Sequence, residues 1–220
     1  EDNIEQLQMQ TTVNYTTKLA KVHELSALLG YEYNQYNGRY FLASGYDLPD
    51  NDLQVLDRAV SDYNIGGSKQ QWRLQSWFGR VNYAFAKKYL LEANLRIDGS
   101  SRFSAGNKYG VFPSFSAGWV LTEEKFMEGL QDAGINLLKL RGGWGRVGND
   151  RIGNYSSEQY LDLNSRYGIG GQILAGAAIT AFGNNNLQWE STSTTNIGLD
   201  LGLMKNRLFI NIDVFKRLTD

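Results

Sequence analysis

Apolar and polar residues alternate with a period of two along several segments of the chain, most regularly over residues 89–98. One set of alternate positions is apolar, and the other is mainly polar and includes Glu92, Asn94, Arg96 and Asp98. Because successive side chains of a strand point to opposite faces, this pattern predicts a strand with one apolar and one charged face. Similar alternation over residues 77–85, only three residues upstream, predicts a tight hairpin.

The same hairpin unit recurs three more times, with imperfect alternation. Its apolar faces lie in residues 7–15 and 25–33, 111–121 and 138–144, and 195–203 and 208–214. Connections within hairpins are short, apart from a roughly helical stretch at residues 122–129. Connections between hairpins are long and cover residues 35–73, 99–110 and 148–189. We therefore expect an all-β antiparallel fold of about eight strands in four hairpins.

Loop asymmetry and aromatic placement favour a transmembrane β-barrel wall. Such barrels have brief periplasmic turns, long external loops and strands of about 9 to 11 residues. Aromatic girdles are expected at both membrane interfaces, and aromatics lie near both ends of the apolar faces: Tyr15, Phe85, Tyr89 and Trp119 by the short turns, and Tyr31, Tyr33, Trp77 and Trp144 by the long loops. The alternative is a soluble sandwich or lipocalin-like barrel, whose strands usually run about 5 or 6 residues.

Composition argues against several classes of function. The 22 basic and 23 acidic residues leave a net charge of -1 and are spread along the chain, so no nucleic-acid partner is indicated. The absence of cysteine excludes disulfides and thiolate chemistry. Apolar runs are too short for a spanning helix, but barrel strands are apolar on one face only, so a spanning barrel stays open.

Three glycines, Gly143, Gly145 and Gly148, match the G-x-G-x-x-G pattern of dinucleotide sites and follow a strand-like run. Such a site also needs a helix opening at the third glycine, whereas a turn-rich polar stretch follows here. We expect instead that these small residues lie in a barrel strand close to the contents of the lumen.

Other candidate chemistry is sparse. No cofactor is expected, and a solvated acidic loop is the default reading of the oxygen-rich cluster Asp47, Asp50, Asn51, Asp52 and Asp57, with loop-bound calcium as the alternative. With His23 as the only histidine, no cysteine and no serine nucleophile elbow, the sequence predicts no enzyme. Residues 173–182 form the most apolar part of the third long loop, and either self-packing or a partner protein would have to cover them.

Several strings together resemble the SusC/RagA family of TonB-linked outer-membrane proteins. They are GRVNYAFAKKYLLEANLRIDGSSRF (79–103), FPSFSAGW (112–119), EEKFM (123–127), LLKLRGGWGRVGN (137–149) and NNNLQWE (184–190). The resemblance covers most of the chain and is weakest in residues 35–73 and 151–182. The family more often has proline at Asn185 and serine or threonine at Gly143; neither departure affects the fold assignment.

The resemblance implies that residues 1–220 are a central to late stretch of a barrel of about 22 strands. The family's N-terminal extension, TonB-contacting box and plug, together with many further strands, have no counterpart here. The family further implies active import across the bacterial outer membrane. A SusD-like surface lipoprotein caps the barrel, and the TonB complex acts through the N-terminal part. Cargo is typically an oligosaccharide and sometimes an oligopeptide.

The main hypothesis is therefore a lipid-contacting barrel wall of a large-nutrient importer. The residues expected to line its lumen are Arg80, Glu92, Asn94, Arg96 and Asp98, and the loop aromatics Tyr160, Tyr167 and Trp189 are candidates for contact with cargo or cap. The first alternative is a self-contained eight-stranded barrel serving as anchor or adhesin. The second is an outer-membrane enzyme, for which the chain offers few catalytic candidates.

Overall fold

The computed structural model describes residues 2–50, 52–130, 133–163, 165–205 and 207–220. Strands dominate these residues, and the only helices among them are three short 3₁₀ segments: Leu56–Arg58, Leu121–Glu123 and Lys125–Leu130. The strands are β1 (Asp2–Leu19), β2 (His23–Tyr46), β3 (Ser61–Phe85), β4 (Tyr89–Ser100), β5 (Tyr109–Val120), β6 (Ile135–Asn149), β7 (Tyr160–Asp162), β8 (Arg166–Ile169), β9 (Gln172–Ala175), β10 (Ala178–Ala181), β11 (Glu190–Leu203) and β12 (Leu208–Thr219).

The eight long strands form one antiparallel sheet in the order β1-β2-β3-β4-β5-β6-β11-β12. The prediction of eight strands in four hairpins is confirmed. Since β1 and β12 are the two edges of the sheet, the sheet is open. The alternative of a self-contained eight-stranded barrel is therefore wrong, because closure would require these two edges to pair.

The register places the alternating residues on two consistent faces across all eight strands. Leu91 lies opposite Tyr83 and Ala117, whereas its neighbour Glu92 lies opposite Asn82 and Ser116. We call these the apolar face and the polar face. The aliphatic side chains of the apolar face are largely exposed: Leu29 69%, Leu91 51%, Ile197 68% and Val214 71%. These side chains have no dry core to enter, which argues against a soluble sandwich.

Aromatic side chains form a row at each end of the apolar face. At the short-turn end, His23, Phe85, Tyr89 and Trp119 follow one another across four strands, with ring centroids 4.9, 6.2 and 6.4 Å apart. At the other end, Tyr31 lies 4.5 Å from Trp77. Trp144, which was predicted at this end, lies instead 6.4 Å from Phe115, and Phe115 pairs with Ala93 nearer the middle of the face. The two rows match the expected positions of membrane-interface girdles.

The first long connection differs from the expectation. Residues 35–73 were predicted as a loop, but β2 continues to Tyr46 and β3 begins at Ser61. The hairpin thus extends well past the aromatic row, with regular pairing from Gln35↔Arg73 to Ser44↔Asn64. Alternation fails to reveal these residues because aromatic and polar side chains occur on both faces of the extension, so neither face carries an apolar stripe.

The third long connection also contains regular structure. Strands β8 and β9 form one small hairpin, and β7 pairs with β10. The apolar stretch within it stays exposed, with Ile173 at 73% and Phe182 at 85%. Packing within the loop therefore does not cover these side chains.

The short turns use left-handed backbone without glycine. Ala20 and Lys21 have φ of 49° and 59°, and Ala86 and Lys87 have φ of 52° and 59°. In each turn an amide closes the loop, as in the 2.9 Å bond from the N–H of Lys88 to the carbonyl of Phe85. Two successive positive φ values give the turn a twist that matches the paired strands. Among the described residues, no helix has the length and apolar character to cross a bilayer.

Candidate functional site

All five residues predicted to line the lumen lie on the polar face. Arg80 pairs with Asn94 across β3 and β4, and Asp98 lies opposite Ser76. Asn94 donates hydrogen bonds to Glu92 at 2.8 Å and to Ser114 at 3.2 Å. The sheet therefore brings these side chains onto one surface. That they line a lumen in the intact protein stays a prediction.

Arg96 is the centre of a polar network on this surface. Its Nε donates to Asp98 Oδ1 at 2.7 Å, and its Nη2 donates to Glu32 Oε2 at 3.1 Å and to Ser76 Oγ at 2.8 Å. Its guanidinium also lies 5.3 Å from the centroid of the Phe78 ring. Ser76 is fully buried and Asp98 is buried. Each charge is thus compensated where solvent access is limited.

A second charged cluster lies on the polar face of β6, β11 and β12. Arg141 Nε donates to Asp200 at 2.9 Å, and its Nη2 donates to Asp213 at 2.6 Å. Lys139 lies 3.7 Å from Asp200, and Asn211 donates to the same carboxylate at 2.8 Å. Sequence analysis did not single out these residues, although each alternates with apolar neighbours such as Leu140, Leu199 and Ile212.

The three loop aromatics proposed for cargo or cap contact lie on different elements. Tyr160 begins β7 and donates to the Asn154 carbonyl at 3.2 Å, and Tyr167 in β8 donates to the Ala177 carbonyl at 2.5 Å. Both are 46% exposed. Their rings remain accessible, and their contact with cargo or cap stays a prediction.

Trp189 is engaged in packing between loops. Its ring lies 5.2 Å from Phe103 and 5.3 Å from Phe112, and its indole N–H donates to the Lys108 carbonyl at 3.0 Å. Phe103 is 2% exposed and Phe112 is 8% exposed, so these rings form one of the few apolar clusters that exclude water. Trp189 therefore packs between loops, and its contact with cargo or cap stays a prediction.

Gly148, the third glycine of the G-x-G-x-x-G pattern, accommodates one of these rings. A Cβ atom at Gly148 would lie 2.0 Å from Cζ of Phe112. Strand β6 runs through Gly143 and Gly145 and continues past Gly148 to Asn149, so no helix opens at the third glycine. The prediction that these are small residues of a barrel strand is confirmed, and what they accommodate is neighbouring side chains.

Arg102 joins the loop that follows β4 to the segment that follows β6. Its guanidinium donates to Asn154 Oδ1 at 3.0 Å and to Asp150 Oδ2 at 3.3 Å. It also lies 5.1 Å from the centroid of the Trp72 ring. Ser100 adds a hydrogen bond to the same Asp150 carboxylate at 2.9 Å. Loops distant in sequence are thereby fixed against the extended β2–β3 hairpin.

Glu124 anchors the aromatic row at the short-turn end. It accepts hydrogen bonds from Tyr89 at 2.7 Å, from the Trp119 indole at 3.1 Å and from Lys88 at 3.1 Å. These bonds, chiefly that from Tyr89, hold the pKa of the Glu124 carboxyl below its ordinary value. Glu124 therefore stays ionised and fixes the polar edges of two girdle rings.

The remaining candidate residues that the structure describes, in the acidic segment and at His23, are not brought together into one site. In the acidic segment, Asp47 accepts a hydrogen bond from Ser61 and Asp50 accepts one from the backbone of Asp52, while Asn51 lies outside the described residues. Within the described residues, no three acidic or histidine side chains are placed to hold a metal ion. Calcium binding by the whole loop stays a prediction. His23 Nδ1 lies 2.7 Å from the Tyr83 hydroxyl.

Comparison with known proteins places these features in a family. The sequence model of the family described as TonB dependent receptor-like, beta-barrel, matches residues 2–220. The chain is 40% identical to TonB-dependent receptor SusC of Bacteroides thetaiotaomicron over 153 residues, which are 67% of this chain and 15% of SusC. It is 32% identical to TonB-dependent receptor P39 of Formosa agariphila over 216 residues, which are 97% of this chain and 20% of P39.

Among solved structures, that of the RagAB peptide transporter superposes with a TM-score of 0.87 at 27% identity. The match covers 100% of this chain and 24% of that one. The chain therefore spans about a fifth of the length of the curated relatives it matches.

Proposed function

The chain belongs to the TonB-dependent receptor family and forms part of its β-barrel. We propose that it is part of the outer-membrane wall of an active importer of large nutrients. The observation that carries this proposal is the two-faced sheet. One face is an exposed apolar band between two aromatic rows, and the other carries paired charges. Only a surface between lipid and a wet interior satisfies both faces at once.

The polar face suits the lining of a lumen. Arg96 with Glu32 and Asp98, and Arg141 with Asp200, present compensated charges that retain free hydrogen-bonding positions. A plug or a hydrated cargo passing along this wall would meet hydrogen-bonding groups without a strong net field. The family consists of receptors and not of enzymes, which agrees with transport as the function of the whole protein.

We propose that a surface lipoprotein of the SusD type caps the barrel. The similarity to SusC and to RagAB supports this partner. So does the exposed apolar surface of the third long connection, where Leu163 is 72% exposed, Ile173 73% and Phe182 85%. Apolar surface of this kind on external loops needs cover, which a cap would supply. The TonB complex would act through a plug and an N-terminal segment of the intact receptor.

Cargo is proposed to be an oligosaccharide, with an oligopeptide as the second candidate because RagAB is a peptide transporter. The test is an in-frame deletion of the gene in the native bacterium, with growth measured on single polysaccharides and on protein digests. We expect loss of growth on one nutrient class, restored by the wild-type gene and absent again when TonB is inactivated. Unchanged growth and unchanged uptake of every labelled nutrient would overturn the importer assignment.

A further inference from the structure

A small open pocket lies on the polar face at the end away from the short turns, over strands β1, β2 and β3. Its volume is about 240 Å³, and the residues used below are Asp2, Tyr36, Gly38, Tyr40, Ser68 and Gln70. These residues are cross-strand neighbours: Asp2 pairs with Tyr40, Tyr40 with Ser68, and Gly38 with Gln70. The pocket lies past the aromatic row at Trp77, where an importer would first meet its cargo.

Tyr36 is held in a fixed orientation. Its ring is stacked on Trp72 with centroids 5.8 Å apart and an interplanar angle of 7°. Trp72 is in turn held by the Arg102 guanidinium, 5.1 Å from its ring centroid. The Tyr36 hydroxyl reaches over Gly38, where a Cβ atom would approach it to 2.8 Å. An aromatic ring that is ordered before binding loses little conformational freedom when a ligand packs against it.

The polar groups around this ring suit a ligand rich in hydroxyls. The Asp2 carboxylate is an acceptor, whereas the Gln70 amide and the hydroxyls of Ser68, Tyr36 and Tyr40 can each donate and accept. A sugar ring presents both an apolar C–H face and hydroxyls at its rim, which matches aromatic rings bordered by mixed donors and acceptors.

A peptide strand suits the pocket less well. Peptides commonly bind sheets by adding a strand at an edge. The central strand beneath this pocket, β2, is paired on both sides, with β1 and with β3. The pocket is also smaller than the roughly 300 to 1,000 Å³ of sites that enclose a whole ligand, so it fits one unit of a longer chain.

We propose that this pocket is a subsite for one sugar ring of an oligosaccharide cargo, with Tyr36 as its stacking platform. The inference rests on the proposed import function and adds the residues that would bind one sugar unit of the cargo. Tyr36 and Tyr40 contribute ring surface, and Asp2, Ser68 and Gln70 contribute hydrogen bonds. Trp72 and Arg102 are positioning residues, since they hold the Tyr36 ring.

The test uses the full-length receptor purified with its surface lipoprotein. Binding is measured to an array of neutral gluco-, manno-, xylo- and fructo-oligosaccharides and to a tryptic peptide pool. We expect Tyr36→Ala to weaken oligosaccharide binding about tenfold or more, as for removal of an aromatic anchor. Ser68→Trp, which fills the pocket, should do the same, whereas Tyr36→Phe keeps the ring and most of the affinity. Tyr15→Ala, on the apolar face of β1, is the control and should bind as wild type.

The outcomes separate this inference from the import function. If wild type binds an oligosaccharide and neither Tyr36→Ala nor Ser68→Trp weakens it, the subsite is wrong while import stands. If the peptide pool binds, no oligosaccharide does, and Tyr36→Ala weakens the peptide, the sugar class is wrong while import again stands. A receptor that binds neither probe and is dispensable for growth on every nutrient would overturn both.

Discussion

Ala93 and Asn94 are adjacent residues for which the proposed barrel wall predicts opposite responses to arginine. Ala93 lies on the apolar face, opposite Val81 and Phe115. It is four residues from Tyr89 in one aromatic row and four from Ile97, which pairs with Trp77 in the other. At about 3.3 Å per residue and a tilt near 40°, each row is about 10 Å away along the membrane normal, so Ala93 lies close to the midplane.

Ala93→Arg should therefore lower the free energy of unfolding of the full-length receptor by about 2 to 4 kcal/mol, the cost of an arginine at the bilayer centre. Asn94→Arg should cost much less. Its side chain would lie on the polar face between Glu92, whose carboxylate accepts a 2.8 Å bond from Asn94, and Arg80 on the facing strand. Water at this face weakens both the attraction and the repulsion, so neither charge costs as much as an arginine in lipid.

The assay is guanidinium unfolding of the receptor in phosphatidylcholine vesicles, followed by tryptophan fluorescence. Correct membrane insertion of each variant is checked by protease protection. Equal losses for the two variants, or a larger loss for Asn94→Arg, would refute the assignment of the apolar face to lipid.

Three further predictions concern the polar face and the loops. Gly148→Ala should destabilise the receptor by about 1 to 3 kcal/mol, because its Cβ would overlap the buried Phe112 ring, and Phe112→Leu should restore part of the thermal midpoint; a neutral Gly148→Ala would contradict the packing. Arg96→Ala should cost about 1 to 3 kcal/mol in guanidinium unfolding by leaving Asp98 without its partner, and no loss would mean that water compensates it. Hydrogen bonding lowers the pKa of Glu124, so its contribution to stability is present above its ordinary pKa and is lost as pH falls through the lowered value. The thermal midpoint should therefore fall less with acidification in Glu124→Gln than in wild type. Identical pH profiles of the two proteins would contradict this.

The strands of the apolar band could be predicted from the sequence because a wall between lipid and water, as proposed here, requires an apolar residue at every second position. Residues 89–98 show this pattern and form β4 as expected. Beyond the membrane the constraint disappears. Residues 35–46 mix aromatic and polar side chains on both faces, so β2 was predicted to end twelve residues too early. Pairing with β3 determines that extension, and pairing between distant segments is not visible in local alternation.

The polar face was predictable as a surface but not as a set of contacts. Alternation places Arg96 and Asp98 on the face opposite the leucines. Their partner Glu32, however, comes from a strand 64 residues away from Arg96. The packing of Trp189 was unpredictable for the same reason, since its neighbours Phe103 and Phe112 are contributed by another loop and strand.

The orientation of the two faces can be measured directly with spin labels placed singly at residues 89–98 of the full-length receptor, in a background without other cysteines. The chain itself contains no cysteine. In phospholipid bilayers we predict that collisions with oxygen, which concentrates in lipid, peak at Leu91, Ala93 and Leu95. Collisions with a water-soluble nickel chelate should peak at Glu92, Asn94 and Arg96. Profiles in phase with one another, or with the two sets of positions exchanged, would contradict a wall between lipid and a wet interior.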